Sequence, residues 1–580
     1  MDFFSAQDQA RRNTGRLVMF FTLAVISLVA MTNLLVMAVF GYLNQQADPA
    51  APLLAGIDWE VFGVISVGVI VVVGIGSLYK IMALSGGGAR IAEMMNGQLI
   101  VDGTGDANRQ KILNVVEEMA IASGSPVPPV YLLDEDGINA FAAGYSPGDA
   151  VIGVTRGAIE KLSRDELQGV IAHEFSHILN GDMRLNIKLI GILHGIMVLG
   201  LIGYYIMRSS MYSRSSRKEG GGVVFLGLGL VVIGFSGTFF GNLIKAAVSR
   251  QREFLADASA VQFTRNPDGI GGALQRIGAD SAGSLVKNPN TAEISHALFS
   301  QGFTSFFGSL FATHPPLAQR ISKIQPDWDG KFEAARSSRR KVSKEKKGAD
   351  AGQGLKKTTA ILTGMAAAMD HIGRPSGAHL GYAQELIAGL PETIRHAVHE
   401  PFGARAVVYC LLLDEDEEML GRQLRHLEKE ADTGVHDETV RLVHAVRRLG
   451  PEIRLPLLDM ALPALRQLSA AQYVMFKENI KVLIEADGKL SIFEWCLQKI
   501  IIHHLDGQFT GHSGAQPKTT TLPKSTGACS QLLSLLVYST RHDGMSFDEV
   551  FSGAAGELSG ANVQLLGRGD LSFGRLDRAI

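Results

Sequence analysis

Residues 163–182 read SRDELQGVIAHEFSHILNGD, and this stretch decides the fold. Ser163 followed by Glu166 has the form of a capping box, and Leu167, Val170, Ile171, Ile178 and Leu179 recur at helical spacing. The pattern predicts an amphipathic helix beginning near Arg164. On such a helix His173 and His177 stand four residues apart and project from one face, the geometry that grips a zinc ion, with Glu174 beside it as candidate general base. The competing reading is an ordinary surface helix carrying two histidines and a glutamate on its wet side.

At 580 residues the chain has room for two or three domains. Its hydrophobic content of 46% and mean hydropathy of +0.15 are high for a purely soluble protein, so membrane segments are expected. A net charge of -2 leaves no global electrostatic basis for nucleic-acid binding, and no nucleic-acid partner is expected. Cys410, Cys496 and Cys529 form no CxxC pair, which argues against a disulfide framework or a thiolate metal site and fits a reducing compartment.

Leu17 to Leu43 and Val61 to Tyr79 are long and apolar enough to cross a hydrocarbon core about 30 Å thick. The first run is too long for a signal-peptide core and lacks a small-residue cleavage site, so it is expected to stay as an anchor. Arg11, Arg12 and Arg16 precede this pair and Lys80 and Arg90 follow it, whereas the connection carries acidic residues alone; both ends are expected in the cytoplasm. Two further runs, Ile187 to Met207 and Val223 to Ala247, read as a second hairpin, with Gly237 and Gly241 at GxxxG spacing. Arg208, Arg214, Arg217 and Lys218 between them do not suit an outer loop, so this hairpin is expected to span incompletely or to be shielded by protein. His194, without a spaced partner, is read as packed against neighbours.

Two histidines leave a catalytic zinc one protein ligand short, and a carboxylate on a second helix is the common solution. Glu253, just after the fourth apolar run, offers it, and Asp257 one turn on is placed to accept a hydrogen bond from a ligand histidine. Alternatively these acids form a solvated ion-pair surface with Arg250 and Arg252.

Four ordered motifs extend the pattern: INAFAAG at 138–144, HILNGD at 177–182, REF with AD at 252–257, and THPPL with RI at 313–321. Together they resemble the M48 zinc metallopeptidases and, within them, the HtpX-like bacterial membrane proteases, over roughly residues 10 to 325. The resemblance implies a mainly α membrane protein with a zincin-like (gluzincin) catalytic domain, a small β-sheet and about four transmembrane or apolar helices. It implies one zinc held by His173, His177 and Glu253, Glu174 as base, Asp257 behind the ligands, and His314 and Arg320 near the reacting oxygen, where either would stabilise an oxyanion. It also implies that Asn139, with Ala140 and Phe141, binds substrate.

Asn139 to Gly144 and Ala150 to Thr155 look like short strands, and an edge strand beside the metal suits an extended peptide bound by main-chain hydrogen bonds. The intervening GYSPG formally matches GxSxG, but Pro147 has no N–H to give an oxyanion hole, so a Pro-Gly turn is the better reading.

The expected domains are a transmembrane hairpin (1–85), a peptidase domain (86–335) containing the second apolar hairpin at 187–247, a basic flexible linker (336–357) and an all-α C-terminal domain (358–580). Glu485 to Ser491, with Glu494, resembles weakly the Asp-Gly-Lys segment of TerB-like helical domains; too few oxygen ligands for calcium make an N-capped helix after a Gly turn the simpler reading. The expected activity is a zinc endopeptidase of the bacterial inner membrane, with active site and C-terminal domain cytoplasmic. Its expected partners are lipid and protein substrates, namely misfolded or unassembled membrane proteins, with the C-terminal domain as the candidate surface for self-association or a membrane partner. The rivals are a narrowly specific processing peptidase and a scaffold in which catalysis is incidental.

Overall fold

The computed structural model describes residues 3–47, 59–84, 87–101, 106–212, 220–288, 291, 297–300, 312–332, 375–509, 525–539, 546–556 and 562–579. The basic linker expected at 336–357, and Arg214, Arg217 and Lys218, lie outside them. Contacts divide the chain into two units, Met1–Leu390 and Pro391–Ile580.

In the first unit, four helices among the described residues are long and apolar enough to cross a membrane: α1 (Phe3–Ala47), α2 (Trp59–Leu84), α7 (Asp182–Tyr212) and α8 (Gly220–Thr264). Phe21 and Leu28 of α1, Val69 of α2, Leu193 and Ile196 of α7 and Ile233 of α8 share one buried cluster. Other large apolar side chains, such as Leu23, Val64, Ile75 and Phe240, face outward, as lipid contact requires. Asn33 donates to Ser66 Oγ at 3.0 Å, tying α1 to α2 where each polar group must find its partner within the protein. The helices α7 and α8 cross backbone to backbone: a Cβ at Gly234 would lie 2.4 Å from Gly200 N. Gly237 and Gly241, expected from their spacing to serve close packing, do so by admitting the tips of Leu28 and Leu193. His194 packs against Tyr79.

Beside these rods sits a four-stranded mixed sheet ordered β1 (Gln98–Leu99), β2 (Val130–Leu133), β4 (Val151–Thr155), β3 (Ala140–Ala143). The strand β4 runs parallel to β2 and antiparallel to β3, which leaves β3 at the edge. Between β3 and β4, Pro147 opens a short turn closed by Asp149, as the Pro-Gly reading expects. Four shorter helices, α3 (Gly88–Met94), α4 (Ala107–Ser123), α5 (Arg156–Lys161) and α9 (Pro267–Ala279), surround the sheet and α6 (Arg164–Asn180). The Ser163/Glu166 capping box is formed, and α6 is buried along most of its length rather than lying on the surface. After α10 (Leu317–Ile324) comes α11 (Gly377–Ala388), which packs on α4, where Gln384 and Arg164 share the Glu118 carboxylate.

The second unit is built of helices among its described residues, including α12 (Glu392–Val398), α13 (Pro401–Leu412), α14 (Glu417–Glu430), α15 (Val435–Arg447), α16 (Arg454–Leu465), α17 (Ala470–Glu485) and α18 (Ile492–Phe509). Tyr409, Tyr473 and Phe476 fill its core. The break between α17 and α18 follows from Gly488 at φ +67° and from Ser491, whose hydroxyl and N–H pair with Glu494 as an N-terminal cap.

Candidate metal centre

α6 carries the HExxH face inward. His173 and Glu174 are fully buried, which removes the surface-helix reading. α6 ends at Gly181, whose φ of +67° is the left-handed cap that glycine adopts without strain, and the turn sends Asp182 back toward His177. α8 then returns from the apolar region and brings Glu253 and Asp257 to the same place; both are buried, so they form no solvated ion-pair surface.

The three nominated ligands converge. His173 Nε2 and His177 Nε2 are 3.1 Å apart, and each lies 3.5 Å from a Glu253 oxygen. Donors about 2.0–2.2 Å from a tetrahedral ion are separated by roughly 3.3 Å, so these atoms mark one face of such a tetrahedron. The other ring nitrogens confirm the polarity of the arrangement: Nδ1 of His173 donates to Asp257 Oδ1 (3.0 Å), and Nδ1 of His177 to Asp182 Oδ2 (2.9 Å). With those protons on Nδ1, two Nε2 lone pairs face each other, which is stable only with a cation or a proton between them. Burial opposes protonation of both rings, but hydrogen bonds to Asp257 and Glu253 raise the pKa of His173, and those to Asp182 and Glu253 raise that of His177 well above the ordinary value. The Asp257, Asp182 and Glu253 carboxylates around the two rings thus favour a positive charge there.

Glu174 completes the centre. Neither carboxylate oxygen has a partner at full hydrogen-bond geometry among the described residues, although both are buried and the Ala142 backbone amide faces the group, and one Glu253 oxygen is in the same condition. Burial raises the Glu174 pKa, against the two imidazoles and the Ala142 backbone amide, which favour its ionised form. Unpaired buried carboxylate oxygens beside facing imidazole nitrogens fit a metal ion and its water.

Arg320 is fully buried and grips Asp257 through Nε (2.8 Å) and Nη2 (2.7 Å), with Nη1 3.5 Å from Glu253. Its charge offsets the carboxylates that hold the histidines. His314 lies 3.7 Å from Glu253, and burial lowers its pKa, so it is neutral; Nε2–H donates to the Leu298 carbonyl at 2.5 Å and Nδ1 accepts from Thr313. Asn139, nominated to hold substrate, spends its amide within the chain: Nδ2 donates to the Ser284 and Ser300 carbonyls, and Oδ1 accepts from the Ala140 and Ser300 amides. Ala140 and Phe141 lie on the edge strand, with Phe141 packed on Gly153.

Asp182, which sequence reasoning quoted without assigning a role, is the residue the structure adds to the cluster. Besides His177 it pairs with Arg252, which also donates to the Asn180 carbonyl and so links α8 to the end of α6. An acid one residue past a helix-ending glycine, five residues after a ligand histidine, was the available signal.

Residues 106–327 match peptidase family M48. A protease HtpX homolog of Ligilactobacillus salivarius is 33% identical over 295 residues, covering 50% of this chain and 95% of that protein. The chain belongs to peptidase family M48. A protease HtpX homolog of Bacteroides fragilis (34% identical over 250 residues; 40% of this chain, 76% of that protein) and one of Dictyoglomus thermophilum (40% over 214; 37% and 68%) are similar in the same way. No solved structure matches the chain. Family and apolar helices together make it an HtpX-like membrane metallopeptidase, as the motifs imply.

Proposed function

We propose that this M48 member is a zinc endopeptidase of the bacterial inner membrane that cleaves misfolded or unassembled membrane proteins at the cytoplasmic face. The observation that carries the chemistry is the triangle of His173, His177 and Glu253 with the unpaired Glu174 carboxylate beside it. Bound zinc supplies Lewis acidity toward water and toward a peptide carbonyl. His173, His177 and Glu253 hold it, with Asp257 and Asp182 fixing the ring orientations. Glu174 takes a proton from the attacking water and delivers it to the leaving amine; a raised pKa suits a group that must both accept and return a proton near neutral pH. The cytoplasmic side is supported by Arg12 and Arg16 before the first span and Lys80 after the second. Loose sequence preference is supported by β3, whose edge position favours main-chain recognition.

The test is the full-length wild type against Glu174→Gln, both loaded with zinc, on casein and on an unassembled membrane protein. The variant should keep one zinc per chain and lose about a hundredfold or more in cleavage rate. Equal cleavage by both proteins would end this reading.

A further inference from the structure

The edge of β3 is occupied by the chain itself. Leu298-Phe299-Ser300 runs antiparallel to Asn139-Ala140-Phe141, with Leu298 opposite Phe141 and the Phe299 N–H donating to the Ala140 carbonyl at 2.7 Å. Ser300 is held on both sides of its peptide by the Asn139 amide. The carbonyls of Leu298 and Phe299 accept from His314 Nε2 (2.5 Å) and Arg320 Nη1 (2.7 Å), and the Phe299 ring stands edge-on to His173, centroids 4.9 Å apart. All three residues are buried.

Two features separate this segment from an ordinary extra strand. The first is its position on β3. Outward-facing groups on an edge strand come from alternate residues, about 6.6–6.8 Å apart, which here are Ala140 and Ala142. The Ala142 amide lies against Glu174, and the Ala140 carbonyl is already taken by Phe299. An extended peptide that pairs with β3 at Glu174 therefore meets Leu298 and Phe299 one step along. The second is who holds it: its two carbonyls are bound by His314 and Arg320, donors that flank Glu253 and that also suit a substrate's carbonyls.

We infer that Leu298-Phe299-Ser300 is a pseudosubstrate strap, and that an incoming peptide must displace it to reach the Ala140 carbonyl, His314 and Arg320. The inference rests on the peptidase reading above. Its consequence is quantitative: apparent substrate affinity is reduced by the fraction of time the strap is off the edge.

Phe141 and Leu298 face each other as a non-hydrogen-bonded pair, whose Cα atoms lie about 4.5 Å apart, a separation a disulfide bridges. In the full-length, zinc-loaded protein, Phe141→Cys/Leu298→Cys is compared only with itself: whatever its reduced rate relative to wild type, casein cleavage should fall at least about tenfold on oxidation and return with dithiothreitol, while wild type ignores the oxidant. Equal activity of the oxidised and reduced forms would overturn the strap. Removing the Phe141 ring also perturbs the core, so a second measurement uses no cysteine. Amide exchange across 297–300 in full-length Glu174→Gln should speed up when casein binds; unchanged or slower exchange with casein bound would equally overturn it. Wild type that fails to cleave casein counts against the peptidase reading instead.

Discussion

Asp182→Asn tests whether the second histidine depends on its own carboxylate. The substitution keeps the shape of a side chain that is 3% exposed and removes the charge that accepts from His177 Nδ1 at 2.9 Å. Losing such an outer partner weakens metal binding about 10–100-fold, or roughly 1.4–2.7 kcal/mol. A second cost is independent of metal: Arg252, 14% exposed, is left with the Asn180 carbonyl alone. Breaking a fully buried pair costs about 3–5 kcal/mol, and partial exposure reduces this to about 1–3. The two effects separate by assay. Zinc affinity is read by competition with a chromogenic chelator, and stability by thermal melts with and without chelator. Asp182→Asn should weaken zinc binding by the stated factor and lower the melting temperature more in the loaded than in the chelated protein. Arg252→Met, which spares the contact to His177, should lose stability similarly in both. If Asp182→Asn binds zinc within about twofold of wild type and melts lower by the same amount in both states, Asp182 is a structural ion pair and the positioning role fails.

Metal retention should fall with acid: the raised pKa values of His173 and His177 mean the metal-free rings keep a proton to higher pH than ordinary histidines, so affinity climbs with pH through that range. Zinc content after dialysis between about pH 8 and pH 6 checks this, and a flat profile contradicts it. In the second unit, burial pushes the Asp459 carboxyl up to about 7 from 3.8, so the fold favours its neutral form. The destabilisation is absent below about pH 4, grows as pH rises toward 7 and is complete above, so Asp459→Asn should stabilise by about 1–2 kcal/mol at pH 8, discounted for partial exposure, and not at pH 4. Urea unfolding at both pH values decides, and an equal gain at both would refute the assignment. Gly234→Val should force α7 and α8 apart at Gly200 and cost about 1–3 kcal/mol or more, seen as a lower melting temperature in detergent; an unchanged melt would show that the crossing yields freely.

The catalytic helix was legible because its signals are local: Ser163 and Glu166 cap it, and the i, i+4 histidines need only helical geometry. Glu253 was legible as chemistry, since two histidines call for a third ligand, but its burial depended on α8 packing that no local pattern encodes. The glycine spacing pointed to Gly237 and Gly241, whereas the backbone crossing is at Gly200 and Gly234 on different helices, a pairing that a single-helix pattern cannot show. The segment 298–300 carries no alternating strand signal, and Phe141, the bridge partner of Leu298, lies 157 residues away (298 − 141). Its pairing, and with it the employment of Asn139, emerges only once β3, α8 and α10 are assembled.

α8 is one uninterrupted helix of 45 residues, about 68 Å long. Glu253 follows Ala247, the end of its apolar run, by six positions, about 9 Å of rise. The rod therefore acts as a spacer: because the helix is unbroken, the rise between the apolar run and the Glu253 carboxylate stays constant however the neighbouring helices repack.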